Sequence, residues 1–525
     1  MSKVITPAQA AELVKDGDRL TMLGFIGMCH PQEVTYAIED RFLKTGHPKD
    51  VDLFFPTNVG DGTDRLGMNH LAHEGLLRSI VGGHWNLVPA LQKLVTENKV
   101  QAWNLPIGTL AQLLREIAGN RPGVITKIGL NTFVDPRNQG GKMNDITKDD
   151  LVEVMEIDGE EYLRYKPFKN IDVAVIRGTL ADEDGNLTMQ KEAAFLEALA
   201  MAEAAKNTGG IVIAQVEDVV QKGTLNPKDV KVPGIMVDYI VKGTPDNSWQ
   251  TYMNPYLPEL SGQIRKPAGS SEKMPLNARK VISRRAAMEL SKNAVVNLGI
   301  GIPEGIAKVA DEEKLPGMKM TVEAGNIGGI PSSGVGFGSA TNPDCTIDSP
   351  AMFDFYDGGG LDQAFLGLAE CDSKGNINVS RFGPKIAGCG GFINITQSTP
   401  VVVFCGTFTA KGLKEKIGDG KLEILNEGAV KKFMKDVEQI TFSSEFAKKA
   451  GQKVLYVTER AVFELRDGVF TLTEIAPGVD LQKDILDQME FKPAIAEDLK
   501  LMDERIFKDE PMGLLEDMDK AQASA

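Results

Sequence analysis

The sequence predicts an α/β protein of two similar domains with largely parallel sheets, fused in one chain. Three observations predict this: a length of 525 residues, short β-rich runs alternating with helical patterns, and motifs of the first half that return in the second.

Length comes first, because 525 residues exceed what one hydrophobic core normally serves. The alternation comes next. Ile171 to Ile176, Ile211 to Val216, Ala294 to Leu298 and Val401 to Cys405 are β-rich, whereas Glu192 to Ala205 and Ala429 to Val437 have helical patterning. Strands alternating with helices favour open parallel sheets, in which ligands sit beyond the carboxyl ends of the strands.

The repeat is the third observation. Val4-Ile5-Thr6 with Glu12-Leu13 returns as Val281-Ile282-Ser283 with Glu289-Leu290, at a constant offset of 277 positions. Leu23-Gly24, with Gly27 and Pro31, returns as Leu298-Gly299, with Gly301 and Pro303. Asn58-Val59-Gly60 parallels Asn326-Ile327-Gly328, and Asp182 to Leu187 (DEDGNL) parallels Asp372 to Ile377 (DSKGNI). Gly24 to Gly185 spans 161 positions and Gly299 to Gly375 only 76, so the first half carries 85 more, much of them expected between Trp85 and Tyr165. A stretch rich in proline, with Gly269-Ser270-Ser271, has linker composition. The expected division is therefore 1–245, a linker over 246–275, and 276–525.

Composition narrows the function. No apolar run is long enough to cross a bilayer, and the start, Met1-Ser2-Lys3-Val4-Ile5, lacks the pattern of a secretory signal, so a cytoplasmic address is expected. A net charge of −15 argues against a general nucleic-acid surface but leaves room for a small anionic ligand held by local cations. The five cysteines form no C-x-x-C pair and read as reduced structural thiols. All five histidines lie within the first 84 residues, and His70-Leu71-Ala72-His73 lacks the further ligands a metal needs. No metal is expected. The acidic stretch from Asp509 to Asp519 reads as a solvated surface segment.

Three motifs carry chemistry through their order: the turn Leu298-Gly299-Ile300-Gly301-Ile302-Pro303, Glu323 within Thr321-Val322-Glu323-Ala324-Gly325-Asn326, and Gly388-Cys389-Gly390-Gly391-Phe392. Singly, each has a plain structural explanation: a solvated glutamate, a tight bend, or a dinucleotide turn whose Gly305 comes one position late. Together, and with Val379-Ser380-Arg381-Phe382, they resemble the glutamate-dependent coenzyme A transferases, in particular the short-chain members of the propionate CoA-transferase type.

That resemblance implies a ping-pong enzyme in which Glu323 attacks an acyl-CoA, passing through an acyl-glutamyl anhydride and a glutamyl-CoA thioester. A carboxylate suits the role because it is ionised at neutral pH and needs no activating base. The resemblance further implies oxyanion donors at Gly388, Gly390 and Gly391, with Gly24 and Gly27 closing the acyl site. Coenzyme A would be bound by Gly299, Ile300, Gly301, Ile302, Pro303 and Lys411. The substrates would be acyl-CoA and short-chain carboxylates such as propionate, acetate or lactate, with no cofactor beyond coenzyme A itself, and the assembly a homo-oligomer, dimer or tetramer. Aligning the two Asn-x-Gly sequences sets Phe55 opposite Glu323, so one half lacks the carboxylate and a single site per chain is expected. The competing functions are an acyl-CoA hydrolase on the same scaffold and a non-catalytic acyl-CoA or metabolite sensor.

Overall fold

The computed structural model describes residues 2–267 and 273–524, with side chains described to residue 520. Gly269-Ser270-Ser271 of the expected linker lies outside the described residues. The chain forms two compact units that interleave in sequence: 1–266 with 322–355 and 381–394, and 267–321 with 356–380 and 395–525.

The first unit is built on eight strands in the spatial order Val4–Ile5, Tyr239–Lys242, Ile211–Val216, Val173–Arg177, Arg19–Met22, Val51–Phe55, Leu77–Gly82 and Gln101–Asn104. Every neighbouring pair is parallel. A parallel sheet covered on both faces needs strands apolar throughout, and Val51–Phe55 and Val173–Arg177 are buried at every position. The helix Pro7–Leu13 starts with a capping box between Thr6 and Gln9. A separate antiparallel sheet is formed by Val124–Thr126, Glu160–Tyr165 and Val152–Ile157.

The second unit has Lys319–Thr321, Val295–Leu298, Gln363–Gly367, Val401–Cys405 and Lys453–Val457 side by side and parallel. Ala461–Arg466 and Val469–Ile475 extend the sheet antiparallel, and Ala494–Leu501 closes its edge. Helix Ala278–Ala287 is capped by the Asn277 side chain, which accepts from the Lys280 amide.

Some expectations change. The strands over 211–216 and 401–405 fall where the pattern puts them, but 192–205 is helical only from Ala198, because Leu196 takes a left-handed φ of 51°. Residues 429–437 are not helical. Phe433 is drawn into a cluster with Phe408, Phe463 and Phe470, and the backbone on either side pairs with Cys371. Tertiary packing outweighs local propensity there. The acidic terminal stretch is anchored rather than simply solvated: the Glu313 carboxylate accepts from the amides of Met512, Gly513 and Leu514, and Arg284 donates to the Glu510 carbonyl.

The proline-rich segment before 267 is not a free tether. Arg177 donates to the carbonyls of Ser248 and Trp249, Gln250 donates to the Lys191 carbonyl, and Tyr252 donates to Gln32. These bonds fasten residues 246–266 to the first unit.

Candidate active site

The segment carrying Glu323 packs in the first unit although the second half of the sequence encodes it. Its fastener is Asn326, fully buried, whose amide donates to the carbonyls of Ala193 and Gly338 at 3.1 and 2.9 Å and whose oxygen accepts from Thr346. The turn is tight: Val322 donates to the Asn326 carbonyl and Gly325 to the Val322 carbonyl. Gly325 has φ 112°, and a Cβ there would stand 2.0 Å from the Ile347 carbonyl oxygen, so only glycine fits. Ser349, at the start of helix Ser349–Asp357, donates its hydroxyl to the backbone carbonyl of Glu323 at 3.2 Å. Glu323 itself is 8% exposed, an ionisable group held almost out of water.

Against it lies the glycine-rich loop. A Cβ on Gly391 would stand 3.2 Å from the Glu323 Cγ, so the missing side chain leaves the carboxylate its place. The loop is clamped to the carboxyl ends of two parallel strands, Leu77–Gly82 and Gln101–Asn104. Gly390 donates to the Gly83 carbonyl, Cys389 to the Asn104 side chain, and Trp85 to the Ala387 carbonyl. Asn104 in turn donates to the carbonyls of Gly82 and Gly83. This is the edge at which open α/β sheets hold ligands.

A small buried turn completes the neighbourhood. Phe25 and Met28 exchange backbone hydrogen bonds, and both meet Gly338, where a Cβ would stand within 3 Å of either side chain. The carboxylate, the glycine loop and this turn thus belong to one compact unit.

The coenzyme A transferase family profile matches residues 4–243. The caffeate CoA-transferase of Acetobacterium woodii is 51% identical over 98% of this chain and 99% of its own. The chain belongs to the coenzyme A transferase family. The acetate CoA-transferase YdiF of Escherichia coli O157:H7 is 45% identical over 98% of this chain and 96% of its own. The crystal structure of that acyl-CoA transferase as a thioester complex with CoA superposes with a TM-score of 0.92, at 44% identity, covering 98% and 97% of the two chains. The protein is accordingly an enzyme that transfers coenzyme A between carboxylic acids, with coenzyme A entering as part of the substrate.

Within this transferase, the residues singled out from sequence fare differently. The Gly390 N–H donates to the Gly83 carbonyl, and Gly391 lies against the Glu323 side chain. Gly388, at φ 79°, turns the chain over Trp85. Gly24 lets the Val59 side chain approach, and a Cβ on Gly27 would strike Tyr252 at 2.5–2.8 Å. Gly24 and Gly27 therefore shape the turn, while Phe25 and Met28 reach the Glu323 segment. In the second unit, Gly299 to Pro303 links strand Val295–Leu298 to helix Glu304–Glu312, with Ile300 exposed and Gly301 at φ 91°. Lys411 sits at φ 61° in a turn, its carbonyl accepting from Ala429.

Residues that sequence reasoning passed over also stand here. His84 lies beside Gly390, with Nδ1 2.5 Å from the Asn58 Oδ1, and burial pulls its pKa down to about 4, so it is neutral at pH 7. Phe353 packs against Gly391 and Gly108. The one signal for this group was the repeated Asn-x-Gly, which marked Asn58 only as a landmark. Cys389 is buried and its thiol is pushed well above the usual range, which disfavours a thiolate. His70 and His73 share the carboxylate of Glu39. Among the described residues no cluster of three or more His, Cys, Asp or Glu could hold a metal ion, and no helix is long and apolar enough to cross a membrane.

Proposed function

We propose that the enzyme moves coenzyme A between short-chain carboxylic acids by a ping-pong mechanism with Glu323 as nucleophile. The observation that carries this reading is the buried Glu323 carboxylate set against Gly391 in a loop clamped at the carboxyl edge of a parallel sheet.

The Glu323 carboxylate attacks the acyl-CoA carbonyl and expels CoA thiolate, giving an acyl-glutamyl anhydride. The thiolate then attacks the glutamyl carbonyl and expels the first carboxylate, giving a glutamyl-CoA thioester. An acceptor carboxylate attacks that thioester, and the same two steps in reverse release the new acyl-CoA and restore Glu323. Each addition places negative charge on a carbonyl oxygen, and the Gly391 N–H is the proposed donor to it. Burial suits this chemistry, since water excluded from the site cannot hydrolyse the anhydride or thioester. The thioester complex of the YdiF relative supports the covalent intermediate. The glycine turn at 299–303 and Lys411 are proposed to hold the coenzyme A handle, whose binding energy orients the reacting thioester. A cytoplasmic homo-oligomer and one site per chain belong to the same reading.

The test is mass spectrometry after incubation with acetyl-CoA and borohydride. Reduction at Glu323 supports the intermediate, and an unmodified Glu323 while transfer proceeds would overturn it. Acetyl-CoA consumption without added propionate would indicate hydrolysis instead of transfer.

A further inference from the structure

A cavity of about 120 Å³ in the first unit is lined by Gly27, by the aromatic residues Tyr36, Trp249 and Tyr252, and by Gln32 and Arg177. Gly27 brings the turn close to Tyr252, since a Cβ there would stand 2.5–2.8 Å from the Tyr252 amide and side chain. The cavity shares no lining residue with the group set against Glu323 above, namely Gly391, Asn326 and Ser349.

Gln32 supplies the observation that points to a ligand. It is 5% exposed, and its side-chain oxygen accepts from the Tyr252 hydroxyl at 2.9 Å and from the Gly67 amide at 3.2 Å. Those two bonds fix the orientation of the side-chain amide, because exchanging its ends would set one N–H against another at Gly67. The remaining donor, Nε2, is buried without a hydrogen-bond partner among the described residues. A buried donor left unpaired costs stability, and native proteins keep few of them.

The other polar groups on the wall are already matched. Arg177 is paired with Glu192 at 3.4 Å and donates to the carbonyls of Ser248 and Trp249 at 2.8 and 2.7 Å. The ring nitrogens of His30 meet the Leu23 carbonyl at 3.2 Å and the Thr35 hydroxyl at 2.9 Å. Asp246, which is exposed, adds a carboxylate to the lining. An anion would therefore meet an unpaired negative charge and only a cation that already has its counter-ion. Aromatic walls suit a flat apolar body, and the volume approaches the roughly 150 Å³ of a cavity that admits benzene. We infer that this cavity is a binding site for a neutral, single-ring aromatic compound carrying one hydrogen-bond acceptor, which the Gln32 side-chain N–H meets.

The test compares pyridine with benzene, rings of one shape of which only the first has an acceptor, and adds benzoate as the anionic probe. Dissociation constants are measured by saturation-transfer NMR at pH 8 on the full chain, for the parent, Gln32→Glu and Trp249→Ala. Glutamate at position 32 keeps an oxygen facing Tyr252 and Gly67, whose donors favour the ionised carboxyl, and puts an acceptor where Nε2 was. The affinity for pyridine relative to benzene should fall about tenfold in Gln32→Glu, roughly the worth of one hydrogen bond. Trp249→Ala, at a position 37% exposed and so safe for folding, should weaken both neutral rings by a similar factor and leave their ratio unchanged. Benzoate should bind the parent more weakly than pyridine. A pyridine-to-benzene ratio equal in the parent and Gln32→Glu would overturn the assignment, as would unchanged affinities in Trp249→Ala or benzoate binding tighter than pyridine. If Gln32→Glu did not fold, the last two outcomes would still decide it.

Discussion

Phe55 and Glu323 occupy matching places, three residues ahead of Asn-Val-Gly in one case and of Asn-Ile-Gly in the other, and each has a glycine opposite its side chain. Phe55 fills the space that Gly82 leaves, where a Cβ would stand 2.2 Å from its ring, and its ring lies 5.7 Å from that of Trp85. Glu323 lies against Gly391. The same local arrangement, a side chain facing a glycine, thus serves a core plug at one place and a buried ionisable group at the other. Burying a phenylalanine side chain stabilises a fold by about 1.5–3 kcal/mol, whereas a buried carboxylate costs stability and is kept for what it can do. The DEDGNL and DSKGNI loops give the counter-example. In both, an aspartate (Asp182 or Asp372) accepts from the amides two and four residues on and from the asparagine side chain at 2.9 Å, so there the two halves keep one geometry for one purpose.

The strongest way to break the comparison is to exchange the chemistry. Glu323→Ala should lower transfer by roughly 10³-fold or more, measured as propionyl-CoA formed from acetyl-CoA, with little change in thermal unfolding. Retention of near-normal turnover would remove the distinction between the two positions. Phe55→Ala should do the reverse. Its cavity should cost about 3–5 kcal/mol in urea unfolding, while a folded fraction still forms the Glu323 adduct. If the variant were as stable as the parent, Phe55 would not be the core plug described.

Much of the scaffold was legible in the sequence. Strand–turn–helix order and the parallel sheets follow from periodicity and glycine placement, which are local signals. What was not legible is long-range. Nothing in the sequence around Asn326 says that its amide will bond the carbonyl of Ala193, and that bond helps bring 322–355 into the first unit. Likewise, nothing in the sequence around Gly390 says that its N–H will donate to the Gly83 carbonyl. The place of His84 beside Gly390 comes from pairing of distant segments. Residues 429–437 misled for the opposite reason: the periodicity was present, and an aromatic cluster overrode it.

The two asparagines sharpen the comparison at a smaller scale. Asn326 makes two donations and accepts once, whereas the Asn58 Nδ2 is buried without a partner among the described residues and its Oδ1 meets only His84. Asn326→Ala should therefore cost about 2–3 kcal/mol of unfolding free energy and Asn58→Ala about 1 kcal/mol or less. Equal losses in chemical denaturation would mean that the bonds drawn here do not distinguish the two turns.

The smallest expected effect separates Asn58 from Asn326 by pH. Burial lowers the His84 pKa to about 4 from the ordinary value near 6.5, so the folded protein favours the neutral ring. The stability this confers is fully present above about pH 6.5 and is lost as pH falls toward 4, because the unfolded chain takes up the proton first. Asn58 holds that ring through Nδ1, and Asn326 has no such titratable partner among its side-chain hydrogen bonds. Between pH 7 and pH 4.5, His84→Gln should lose about 1–2 °C less in Tm than the parent does, a difference small enough to need matched scans. An identical acid shift in the two proteins would mean that His84 titrates as it does in water, and its place beside Gly390 would then owe nothing to a neutral ring.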